Sequence, residues 1–179
     1  MAQVTEQLVW SSNVSATGVA LETNTTTSDD TRNLMTTSLD WTFELTNLSQ
    51  TPTSIVSIQP KIEGRTNAEG GTFVFFHKIL NGSSTELYSE GFAVSDDEDN
   101  SNSGATRTTS DGSTAWTESD INNLRIRFDY FTSLSGATQG FVDHYYVEVV
   151  YNVADPTAGL IKLNSGLVNL NSGLIKIIG

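Results

Sequence analysis

Apolar residues fall on every second position through much of this chain. In Trp41-Thr42-Phe43-Glu44-Leu45 they alternate with polar ones, as a strand with one buried face requires. Val56, Ile58, Pro60 and Ile62 keep the same period, and the proline predicts an edge or a bulge because it has no N–H for a ladder. Phe73 to Leu80 is apolar on both sides, which predicts a central strand covered on both faces. Leu124, Ile126, Phe128 and Tyr130 alternate with Arg125, Arg127 and Asp129, and Tyr145, Val147, Val149 and Tyr151 oppose His144, Tyr146, Glu148 and Asn152. The register predicted from this pattern turns Trp41, Phe43, Leu45, Leu124, Ile126, Phe128, Tyr145, Val147 and Val149 inward. Five or more strands, broken by turns such as Asn81-Gly82-Ser83-Ser84, predict an all-β fold, an antiparallel β-sandwich of jelly-roll type.

Two stretches break the alternation. Ser95 to Thr114 holds Asp96, Asp97, Glu98 and Asp99 and then a run of serine, asparagine, glycine and threonine, which reads as a surface excursion with no core residue. Thr117-Glu118-Ser119-Asp120 has a hydroxyl with an acid three positions on, the pattern of a capping box. It predicts one short helical turn between Trp116 and Asn123, leading into the Leu124 strand. Residues 1–16 read as a strand or an extended arm, 17–154 as the sandwich domain, and 155–179 as a separate tail.

The tail is three tandem heptapeptides, Gly159–Ser165, Gly166–Ser172 and Gly173–Gly179. One such unit cannot bury its own apolar face and must stack on neighbours or on another chain. Leu160, Leu163, Leu167, Leu170, Leu174 and Ile177 are therefore the candidate assembly residues. Their spacing would suit a coiled-coil seam. Against a helix stand a glycine in every repeat, at about 1 kcal/mol each relative to alanine, and the accompanying Asn and Ser. Asn-Ser-Gly also reads as a hairpin loop, which makes the segments between short strands. The balance favours β, with the coiled coil as the alternative.

Composition narrows the function. The 179 residues allow one domain of ordinary size with a hydrophobic core of its own. No cysteine is present, so neither disulfides nor thiolate metal sites contribute. The formal net charge of −12 suits solubility and mutual repulsion, and it argues against tracking a nucleic-acid backbone, which needs a basic stripe. MAQVTEQLVW lacks the basic start and apolar run of a secretory signal, and no stretch is long and apolar enough for a membrane-spanning helix. The expectation is of a protein without membrane association that is either shown in its mature form or leaves the cell by a route other than a signal peptide, such as lysis.

Candidate chemistry is sparse. His77 and His144 lie inside predicted strands with no second ligand at metal spacing, and no Gly-x-Ser-x-Gly elbow occurs. Asp97, Asp99 and Ser101 are spaced as in a loop that wraps calcium. However, Asn102 stands where that loop needs glycine, and no acid follows at its twelfth position. Asp97 and Asp99 are therefore weak candidates for a cation, and a solvated charge run is the simpler reading. The sequons at Asn13, Asn24, Asn47 and Asn81 are what chance gives in a chain this rich in Ser and Thr.

One stretch carries a resemblance. Trp116-Thr117-Glu118-Ser119-Asp120-Ile121-Asn122-Asn123-Leu124-Arg125-Ile126-Arg127, with the later strand Tyr146-Val147-Glu148-Val149-Val150-Tyr151, resembles the C-terminal half of β-sandwich domains in structural proteins of tailed phages, especially marine ones. The resemblance covers about 40 residues of structural character, with no catalytic motif, and the heptapeptide tail is not part of it. It implies a non-enzymatic virion component on the particle surface, such as a decoration, fibre or tail-associated protein, whose partners are its own copies and other virion proteins. A subunit of an extracellular filament or surface layer is one alternative. Another is a carbohydrate-binding module that meets surface glycans on a platform of Trp10, Tyr88 or Tyr130.

Overall fold

Alternation on this scale builds strands, and a computed structural model of the chain describes residues 1–20, 33–67, 69–95, 100–135, 139–155, 160–163 and 166–169. In chain order the elements are β1 (Ala2–Ala20), β2 (Asn33–Leu45), β3 (Ser54–Thr66), β4 (Thr72–Leu80), β5 (Glu86–Ser95), β6 (Asn100–Ser103), α1 (Glu118–Asn122), β7 (Arg125–Ser135), β8 (Gly140–Val153), β9 (Leu160–Leu163) and β10 (Gly166–Asn169). The fold is all-β and antiparallel. Eight strands form one hydrogen-bonded sheet in the order β5-β4-β7-β2-β1-β8-β3-β6, and the sheet curls until it is nearly closed, like a barrel. The two facing layers expected of a sandwich are here two sides of one curved sheet. β1 lies in its middle, pairing with β8 through Ala2–Val9 and with β2 from Trp10 onward.

The interior is filled by large side chains at the positions the alternation selects. Trp41, Phe43, Leu45, Leu124, Ile126, Phe128, Tyr145, Val147 and Val149 are all buried, joined by Leu8, Ile58, Ile62, Phe73, Phe75 and Tyr151. Aromatic rings meet across the barrel. Phe128 of β7 stands edge-on to Tyr145 of β8 at 5.3 Å, Phe43 of β2 does so at 5.8 Å, and Trp41 stacks on Phe128 at 5.8 Å. Edge-to-face pairs at these separations add about 0.5–1.5 kcal/mol each to the burial of the rings themselves.

Two bulges between β3 and β8 move the phase of the pattern, one correcting a sequence expectation and the other explaining a buried polar residue. β3 gains a residue relative to β8 between Ile55 and Ser57, so Ile55 and Ile58 both turn inward and Val56 is left 37% exposed. Val56 therefore does not share the inward face of Ile58 and Ile62. The second bulge places Glu63 opposite His144 and Gly64 opposite Val142, so that Asp143 is the extra residue of β8 and is itself buried.

Two further expectations are corrected. β4 is not covered on both sides: Phe73, Phe75, His77 and Ile79 are buried, while Val74, Phe76 and Lys78 are half-buried on the outer face. Those outer apolar residues lie against Gly91 of β5, where a Cβ would sit 3.1 Å from Val74 Cγ1 and 3.3 Å from Phe76 Cε1. The missing side chain leaves room for them to lie against the Gly91 backbone. The polar stretch after Ser95 also contributes to the sheet. β6 pairs with Lys61–Gly64 of β3, the Gly104 N–H donates to Pro60 O (2.8 Å), and Arg107 exchanges main-chain bonds with Ile58 (2.9 and 2.8 Å). An edge strand needs its peptide groups more than apolar side chains, which is why composition concealed it.

α1 closes one end of the barrel as the capping box predicts. The Asp120 N–H donates to Thr117 Oγ1 (3.1 Å), and the Thr117 N–H donates to Asp120 Oδ2 (2.9 Å). Trp116, Ile121 and Leu124 point into the core, and the Leu48 N–H donates to Asn122 Oδ1 (2.9 Å), tying the turn to the β2–β3 connection. Truncating Phe43 or Phe128 to alanine should cost about 3–5 kcal/mol in urea unfolding, while Thr117→Ala should cost about 1 kcal/mol. Losses below about 1 kcal/mol at both phenylalanines would contradict this packing.

Candidate functional site

β5 and β6 end the sheet order, so the barrel closes where they approach each other. Among the described residues no ladder joins them, and side chains bridge the seam instead. Glu90 of β5 accepts from the Ala105 N–H at Oε2 (2.9 Å), and the Tyr88 hydroxyl donates to Thr109 O. The Arg107 guanidinium lies 4.4 Å over the Tyr88 ring and 4.0 Å from Glu90 Oε2. The Trp116 indole N–H donates to Arg107 O (3.2 Å), which holds the same segment from the α1 side. Gly104 is required here, because a Cβ on it would stand 2.3 Å from Glu90 Oε1 and 2.8 Å from Pro60 Cγ.

Behind the seam sits a sealed polar pair. His77 of β4 is 1% exposed, stacks on Phe92 at 4.6 Å and meets Tyr145 edge-on at 5.8 Å, with Nε2 3.8 Å from Glu90 Oε1. The Tyr145 hydroxyl has no hydrogen-bond partner, and the imidazole nitrogens meet no more than a poorly aligned Glu90 main-chain group. Burial pushes His77 down to about 3, with the Glu90 carbonyl opposing and Arg107 adding to the shift. Burial, reinforced by the Glu90 charge, pushes the Tyr145 phenol well up. At neutral pH the imidazole is therefore neutral and the phenol protonated. Phe92, Phe128 and Tyr145 pack against the imidazole. The cluster fastens the barrel.

The sequence-selected residues lie elsewhere. Asp97 and Asp99 fall outside the described residues. Among the described residues no group of three or more His, Cys, Asp or Glu is placed to hold a metal ion. Asp111, further along that stretch, accepts from the Ser113 and Thr114 N–H groups at 2.9 and 2.6 Å, and these bonds hold its carboxyl below the usual range. It closes a turn. Trp10 is half-buried against the core, and its indole N–H shares Asn13 Oδ1 with that of Trp41, at 3.0 and 2.8 Å. Tyr88 is held at the seam, with three strands between β5 and β1 in the sheet order, so these two rings form no common platform. The Tyr130 side chain lies outside the described residues.

In the tail, Leu160 and Leu163 belong to β9 and Leu167 to β10, which pair antiparallel with Gly166 opposite Leu163 and Asn169 opposite Leu160. The two strands form a sheet of their own, separate from the barrel. Leu170, Leu174 and Ile177 lie outside the described residues. No family model, curated protein or solved structure matches the chain.

The buried imidazole makes stability depend on pH. Its folded value of about 3 lies below the ordinary 6.5, so between these limits the unfolded chain binds the extra proton. Stability should then fall as the pH is lowered through that window, by up to about 1.4 kcal/mol per pH unit from this group alone. His77→Phe should flatten the profile by that amount whatever its absolute stability. Parallel profiles for the two proteins in urea titrations would show that His77 does not carry the dependence.

Proposed function

We propose that the protein is a non-enzymatic structural component of a virus particle, displayed on its surface as a decoration, fibre or tail-associated protein and assembled through its C-terminal repeats. The carrying observation is a mismatch between tail and barrel. The tail brings leucine together with valine or isoleucine in every repeat, yet among the described residues the large apolar side chains left exposed are Met1, Val14 and Val56, which form no docking face. β9 and β10 pair with each other and with no barrel strand. An apolar repeat without a face of its own to cover is satisfied by other copies or by a neighbouring virion protein.

Charge supports the same division of labour. From Pro156 onward the tail carries Lys162 and Lys176 and no acid, within a chain of net charge −12. Acidic barrels repel one another while the tails gather, which favours display over coalescence. The Trp116–Asn123 turn that carries the resemblance to phage structural proteins has a mechanical role here as the plug of the barrel. The jelly-roll-like sandwich also belongs to this reading. What supports it is that rings from β2, β4, β5 and β7 reach Tyr145 of β8 across the interior, so opposite sides of the one curved sheet pack on each other.

Deleting Gly159–Gly179 should leave a folded barrel that no longer forms the native oligomer, as measured by size-exclusion chromatography with light scattering. An unchanged assembly mass would overturn the role of the repeats. Detection of the protein in purified particles by mass spectrometry tests the location, and its recovery in cell-surface filaments instead would favour the filament subunit.

A further inference from the structure

The outer face of β8 carries a second arrangement, independent of the tail. Antiparallel register sets its outward residues in rows with those of the neighbouring strands. Glu148 stands opposite Gln7 and Gln59, Tyr146 opposite Lys61, and His144 opposite Glu63. β6 extends two of these rows with Ser103 beside Lys61 and Ser101 beside Glu63. Together they frame a groove of about 250 Å³ whose functional lining is Gln7, Lys61, Ser101, Ser103, His144 and Tyr146, with Glu63 beside His144.

Its chemistry is specific. The His144 and Tyr146 rings stack at 4.6 Å, with 29° between their planes, and Lys61 Nζ lies 5.9 Å from the Tyr146 centroid. Lys61 is already paired with Glu148 at 3.0 Å. His144 is 9% exposed, and its Nε2 is buried without a hydrogen-bond partner. Burial lowers its pKa while the Glu63 charge opposes, so the imidazole is neutral at neutral pH.

These facts narrow the ligand. An anion would meet a groove whose lysine is already paired and whose remaining charge is Glu63, an unfavourable balance. An apolar ligand would strand the Gln7 amide and the Ser101 and Ser103 hydroxyls, at about 1–3 kcal/mol for each group it buries unpaired. A sugar ring offers a C–H face for the aromatic pair, and hydroxyls that both donate and accept, which suits an amide and serine hydroxyls. We propose that this groove is a binding site for a neutral saccharide unit, its ring against the His144–Tyr146 pair and its hydroxyls on Gln7, Ser101 and Ser103. The site differs in place from the Trp10, Tyr88 and Tyr130 positions that the sequence suggested.

The test is saturation-transfer difference NMR on the full chain, a method that tolerates a large assembly. The probes are glucose, galactose, mannose and N-acetylglucosamine, with glucuronate as the charged comparison. At least one neutral sugar should receive saturation at its ring C–H protons, with a dissociation constant on the order of 1 mM. The signal should vanish in Tyr146→Ala and weaken several-fold in Gln7→Ala, both with unchanged circular dichroism. No transfer to any neutral sugar would overturn the proposal. So would a signal that survives both substitutions, or a stronger response to glucuronate. If Tyr146→Ala does not fold, Gln7→Ala and Ser103→Ala decide by the same criterion.

Discussion

Tyr145 holds this fold together. Its ring lies at the centre of the barrel, 5.3–6.5 Å from Phe43, His77, Phe92 and Phe128, and these four come from four different strands. A curved sheet has no second layer to press against, so its two sides must reach each other through large side chains. Rings do this with little loss of rotamer freedom and with a preference for edge-on contact that fixes their relative tilt. The strand pairings then need only keep register, because each pairing delivers one of these rings to the same point.

The same crowding explains the polar atoms left inside. Bringing Tyr145 and His77 into the aromatic cluster removes their hydroxyl and ring nitrogens from water without supplying well-aligned partners. Each such group costs about 1–3 kcal/mol. The fold offsets this with packing, and by keeping both groups uncharged. Glu90 stands at the boundary between this dry interior and the seam. One of its oxygens faces the imidazole, and the other takes the Ala105 N–H. The seam is consequently the least regular part of the sheet, closed by a carboxylate, a phenol and a guanidinium where other strand pairs have peptide ladders.

Much of the fold was legible because it rests on period two. The inward face of β2, β7 and β8 followed from the alternation of residues such as Trp41 and Phe43 or Val147 and Val149, and α1 followed from Thr117 and Asp120, whose capping chemistry is local. What escaped was set by partners far away in the sequence. The bulge that turns Val56 outward exists only relative to β8, and the edge role of Asn100–Ser103 comes from main-chain bonds that any residue could make. The groove was hidden for the same reason. Gln7, Lys61 and Tyr146 belong to three strands, and only the register sets them side by side.

The central place of β1 ties the order of folding to assembly. Its Ala2–Val9 half pairs with Val153–Tyr146, so its neighbour on that side lies more than a hundred residues further along the chain. Until β8 is available, the inward side chains of β1, Leu8 among them, have only the β2 side to pack against. Pairings of such wide sequence separation carry a large loop-closure cost and slow the search for the native state. The repeats follow β8 directly, so the element that completes the sheet is also the one that leads into them. In the proposed assembly this order would couple self-association to completion of the barrel and leave half-formed subunits little opportunity to polymerise.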